Sequence, residues 1–175
     1  MLVSSMDILT YQLLLQNNQK SLPIDITKLA MDNGFKIITI DMQEGETGFV
    51  LVDDNEELVG FQTRRLIGVK KGLEFEKRRF VTAHEFAHFI LHKGEKVQYM
   101  HRSVEHSEKP EEKEADLFAR CLLMPAKLIK DKMSEFKDDN GESTVDEIKI
   151  KYISLVCRVT ETKAKVRLQE LGFLG

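Results

Sequence analysis

Five consecutive residues, His84-Glu85-Phe86-Ala87-His88, have the types and spacing of a metal-dependent hydrolytic site. On a helix turning about 100° per residue, His84 and His88 lie one turn apart and only about 40° apart around the axis. Both imidazoles then reach one zinc ion. Glu85 projects to the flank of that face, where it can take a proton from an attacking water without occupying a ligand position. The surrounding Phe80, Val81, Ala83, Phe86, Ala87, Phe89, Ile90 and Leu91 make this helix apolar almost all round. Three ionisable groups buried there without partners would cost about 1–3 kcal/mol each. A bound metal offsets that cost.

A catalytic zinc needs a third protein ligand and one open position. His92 lies a further turn along, but 84 to 92 spans about 12 Å of helix at 1.5 Å per residue, too far for one ion. It reads instead as a helix-end residue favoured by the dipole. Glu112 and Asp116, four apart, share a face of the next helix. One would donate to the metal, and the other would orient a ligand imidazole through its second nitrogen. Ala115 between them permits close approach. A solvated acidic first turn explains Glu111, Glu112 and Glu114 equally well by spacing. Tyr99, His101 and His106 fall between the two helices and are candidates for oxyanion stabilisation or for the site rim.

The elements that must hold these residues follow from periodicity. Helices are expected over 6–16 and 24–33, then β-like runs over 35–40, 48–52, 58–63 and 66–69. Asp53-Asp54-Asn55 suggests a hairpin turn within a meander of three or four strands. The zinc-type helix is expected over 75–91, a loop over 93–109, and the second helix from Pro110 to Met124, where Pro125 stops it. A third helix is expected to about Phe136, a polar linker over 137–143, and closing helices over 144–157 and 161–171.

With 175 residues, 42% of them hydrophobic, the chain can build one core of ordinary size. A net charge of −3 gives no general attraction to nucleic acid or anionic membrane. Cys121 and Cys157 have no metal-type spacing and are expected as free apolar thiols. The N-terminus lacks the basic start of a signal peptide, and no stretch has the roughly 18 apolar residues of a span. A cytoplasmic protein without membrane contact is therefore expected.

The block Glu112-x-x-Ala115-Asp116-x-Phe118-Ala119-x-x-Leu122-Leu123-Met124-Pro125, following His84–His88, resembles the ImmA/IrrE metallopeptidase family. The resemblance extends upstream through Arg79-Phe80-Val81-Thr82-Ala83 and covers about 70–175, with the preceding strands. It implies an α+β fold with a zincin-like metallopeptidase core: N-terminal helices, a small mostly antiparallel sheet, and an active-site helix packed on a second ligand helix. The core is expected over 1–137, with a helical C-terminal segment over 138–175 suited to partner recognition. The resemblance further implies one catalytic Zn²⁺ on His84, His88 and Glu112, Glu85 as base, and Asp116 behind the ligands. Glu114 is the rival of Glu112, and family register favours Glu112. Asp116 stands where the family more often has Asn, and Ala87 where Gly is frequent. The implied function is an endopeptidase cleaving a helix-turn-helix repressor of a phage or mobile element. The alternative is a non-proteolytic zinc protein that sequesters such a repressor. Direct DNA binding by the last two helices is disfavoured, because 144–175 carry six Lys or Arg against four Asp or Glu.

Overall fold

Ser4 and Asp7 start the first helix by capping each other. The Ser4 hydroxyl accepts from the Asp7 N–H, and the Asp7 carboxylate accepts from the Ser4 N–H. The computed structural model of the chain describes residues 4–92, 96–102, 109–136 and 146–174. In order these form α1 (Ser5–Gln16), α2 (Ile26–Asp32), β1 (Lys36–Ile40), β2 (Glu46–Asp53), β3 (Arg65–Lys70) and α3 (Phe75–Leu91). There follow β4 (Lys96–Arg102), α4 (Pro110–Leu123), α5 (Ala126–Glu135), α6 (Asp146–Cys157) and α7 (Glu161–Glu170). The architecture is α+β with a small mixed sheet. No helix among the described residues is long and apolar enough to cross a membrane.

Two compact units result: Met1–Ile24 with Arg120–Gly175, and Asp25–Ala119. The second holds the sheet, in the order β1-β3-β2-β4. β3 pairs parallel with β1 and antiparallel with β2, which also pairs antiparallel with β4. α3 packs on β2, β3 and β4, and α2 on α3 and β1. The core there is Ile26, Leu29, Phe35, Val50, Val52, Leu66, Ile67, Val69, Phe86 and Phe118, all buried. Every residue of α3 from Arg79 to His88 is buried, so the apolar surround expected of this helix is realised. Arg65 at the start of β3 joins three neighbouring elements. It donates to the Asp54 carboxylate and the Asn33 carbonyl, and lies 4.7 Å over the Phe89 ring.

In the first unit, Leu14, Ile24, Leu122, Leu123, Met124, Ile129, Ile153, Val159, Ala164 and Leu168 form the core. Cys121 and Cys157 are buried there, outside any disulfide among the described residues. Burial pushes the Cys121 thiol up to about 12. Arg167 is buried and donates to Asp7, Glu170 and the Met124 carbonyl. Met124 directly follows α4, and the last carbonyls of a helix have no intrahelical N–H to accept from. The guanidinium therefore satisfies a carbonyl that the helix leaves over.

Three sequence expectations are corrected. Residues 58–63 form no strand: Gly60 and Gln62 have φ of +82° and +51°, and Val59 is 96% exposed. A residue with positive φ cannot continue a pleated strand. The sheet is not a meander, because β1 joins β3 in parallel rather than its neighbour β2. The expected loop over 93–109 contains β4, whose pairing with β2 overrides its weak local pattern. The linker expected over 137–143 lies outside the described residues.

Candidate metal centre

Three side chains converge on one point. The His84 and His88 Nε2 atoms are 3.2 Å apart. His84 Nε2 lies 3.1 Å from Glu112 Oε2, and His88 Nε2 lies 3.5 Å from Glu112 Oε1. Among the described residues these three form a group of potential metal donors, all within 4.8 Å of one another. Ligands about 2.0–2.2 Å from a tetrahedral zinc lie roughly 3.3–3.6 Å from each other. The separations, measured to the two oxygens of Glu112, match the edges of one face of such a shell. Both histidines are buried, while Glu112 keeps 13% of its side chain exposed. Two imidazoles and a carboxylate are also the donor chemistry of a hydrolytic metal centre.

α3 supplies the two histidines on one face, as the one-turn spacing requires. α4 supplies Glu112 in its first turn, and buried Ala115 keeps that helix slim on its inner side. Asp116 Oδ1 lies 3.8 Å from His84 Nδ1, an electrostatic contact longer than a hydrogen bond. Glu114 is exposed on α4 and outside the triangle. His92 caps the end of α3, its N–H donating to the His88 carbonyl, and its ring centroid lies 5.5 Å from that of His88. It is no member of the donor group. Tyr99 and His101 lie in β4, paired through the backbone with Val50 and Gly48. His106 lies outside the described residues.

The electrostatics are those of a cation site. Burial by itself lowers the His84 imidazole, but the Asp116 and Glu112 carboxylates and the charge of Glu85 outweigh it, raising His84 to about 9. Burial, with the charge of His84 and His92, holds His88 below its ordinary value against the pull of Glu112. Glu85 is fully buried, and neither of its carboxylate oxygens has a hydrogen-bond partner among the described residues. Burial, aided by Glu112 and opposed by His84, pushes it up to about 8. A divalent cation held by the three donors would favour the carboxylate form of Glu85.

One residue next to this group was not foreseen. Gly48 of β2 abuts Glu85: a Cβ built there would lie 2.8 Å from Glu85 Oε1. The available signal was a glycine inside a strand pattern, which marks a bulge or a close approach.

Residue identity at the triangle can be checked by metal titration. Glu112→Ala is expected to weaken zinc binding by roughly 100-fold or more, beyond the usual effect of losing an outer-shell partner. Glu114→Ala is expected to leave it unchanged. Full zinc occupancy in the Glu112 variant would move the third donor elsewhere.

The search of curated proteins returned no match to the chain. The family model described as the IrrE N-terminal-like domain of the M78 peptidases matches residues 30–167, which include α3, α4 and the donor triangle. The chain therefore belongs to the M78 peptidase family, whose members are of the metallopeptidase kind.

Proposed function

We propose that this protein is a zinc endopeptidase that inactivates a helix-turn-helix transcriptional repressor by cutting it. The observation that carries the reading is the triangle of His84, His88 and Glu112 with the Glu85 carboxyl buried beside it. In this proposal His84, His88 and Glu112 hold one zinc, Asp116 orients the His84 imidazole, and Glu85 is the base. A zinc ion held there supplies Lewis acidity, polarising the scissile carbonyl and acidifying water. Glu85 takes the proton from the attacking water and returns it to the leaving amine. The donor set of two His and one Glu favours zinc over the oxygen-seeking magnesium and calcium.

The repressor as substrate rests on the ImmA/IrrE resemblance. The division into a peptidase part over 1–137 and a recognition segment over 138–175 belongs to the same proposal. It draws support from Ile148 and Leu155, which are exposed on α6 as apolar contacts for a partner. Two cysteines held outside any disulfide suit a reducing, cytoplasmic setting. The test is to incubate the purified protein, loaded with one equivalent of zinc, with the repressor encoded beside it. Mass spectrometry should show two fragments whose masses sum to the repressor plus one water. Intact repressor in the presence of folded, zinc-loaded protein would overturn the assignment of substrate.

A further inference from the structure

The inner face of β2 reads Glu46, Gly48, Val50 and Val52, all buried. Gly48 is the position where α3 comes closest. A Cβ there would lie 2.5 Å from Val81 Cγ1, 2.8 Å from Glu85 Oε1 and 3.2 Å from Glu85 Cγ. Real Cβ atoms essentially never come within 3.0 Å of such neighbours, so a side chain at 48 would have to displace something. The backbone at 48 is not in the left-handed region, so its conformation does not call for glycine. A glycine inside a strand costs roughly 0.5–1 kcal/mol relative to alanine. What it provides here is space, and Glu85 fills that space.

A second observation meets the first. The pairing of β2 with β4 shifts register between Glu46 and Gly48, which leaves Thr47 as the extra residue of a bulge. Its hydroxyl is buried without a hydrogen-bond partner among the described residues. Bulges bend and twist a strand locally and re-aim what it carries. This one lies directly beside the residue that Glu85 packs against. The Glu85 carboxyl has no hydrogen-bond partner among the described residues, and it packs against the bare backbone of Gly48.

We infer that Gly48 is a positioning residue: its bare backbone forms the slot that fixes the Glu85 carboxylate beside the metal triangle. The inference rests on the reading of Glu85 as the base, and the experiment separates the two. Gly48→Ala should keep zinc affinity within about threefold, because the nearest neighbours of residue 48, Val81 and Glu85, are not donors of the triangle. Its cleavage of the neighbouring repressor should fall by 10- to 100-fold in kcat with little change in KM. In the Glu85→Gln background the same substitution should lower the residual rate no further, since both changes act through one group. Metal-free protein gives a readout independent of activity. Gly48→Ala should lower the urea unfolding midpoint, and adding Glu85→Ala should restore part of that loss by vacating the slot.

Should Gly48→Ala fail to fold, Gly48→Ala with Val81→Ala removes the clash with Val81 and keeps the one with Glu85. That double variant should fold and still lose kcat. Unchanged kcat in a folded Gly48→Ala variant would overturn the inference. So would an equal further loss in the Glu85→Gln background, or no recovery of the midpoint with Glu85→Ala. A fully active Glu85→Gln variant would instead overturn the assignment of the base, whatever Gly48→Ala does.

Discussion

Glu85→Gln should lower the rate of repressor cleavage by about 10²–10⁴-fold, the contribution expected of one positioned acid–base group. Glutamine has the shape of a protonated glutamic acid, so it fits the slot against Gly48 and leaves the fold intact. It cannot take a proton from water, and that is the function assigned to residue 85. His84, His88 and Glu112 are untouched, so the variant should bind one zinc with the affinity of the parent protein. The measurements are single-turnover cleavage for the rate and zinc titration for the metal. They also separate the two classes of function open to this chain. A protein that only sequesters its partner has no need of a base, and its Glu85→Gln variant would relieve repression fully. Retained cleavage would move the proton transfer to another group.

That experiment is well posed because the site's chemistry is written locally in the sequence. His84, Glu85 and His88 fall within five residues, and a helix brings them to one face whatever the rest of the chain does. The bounds expected for that helix from apolar spacing, 75–91, are those of α3. Glu112 was less legible. Its first-turn position on α4 has an ordinary explanation in the helix dipole, and only the register of the resemblance preferred it to Glu114. The sheet was least legible, because its information is non-local. β4 is held by backbone pairing with β2, about fifty residues earlier in the chain, and its own segment 96–102 has little periodicity. The parallel pairing of β1 with β3 likewise skips the strand between them in sequence. Residues 58–63 misled in the opposite direction: Val59 and Phe61 have strand-like types, but Gly60 and Gln62 take positive φ and break the run. Gly48 read as part of a strand, and its role is visible only once α3 lies across it.

Removing Arg167 should destabilise the chain by about 3–5 kcal/mol, the range for breaking a buried ion pair by deleting one partner. Arg167 is 2% exposed, Asp7 is 6% exposed, and their side chains are directly hydrogen-bonded. The guanidinium also donates to the Met124 carbonyl and to Glu170, which in turn pairs with Arg120 at 2.9 Å. Arg167→Ala thus leaves a buried carboxylate, an unsatisfied carbonyl and a cavity at once. The pair as a whole need not be favourable, since desolvation of both charges opposes their attraction. Asp7→Leu with Arg167→Met should therefore recover most of the stability that Arg167→Ala loses. The acid limb provides a separate check. Burial works to raise the Asp7 carboxyl, but hydrogen bonds from Arg167 and Ser4 outweigh it and hold the group below 3.8. A carboxyl with a depressed folded pKa contributes stability above its unfolded value and loses it as pH falls through the folded one. Wild type should therefore lose an increment of stability below about pH 4 that Asp7→Asn, already without the charge, does not lose. Urea unfolding at pH 7 and at pH 3 measures both quantities. Equal pH dependence in the two proteins would show that Asp7 titrates alike in the folded and unfolded chain, and the ion pair would then carry no stability.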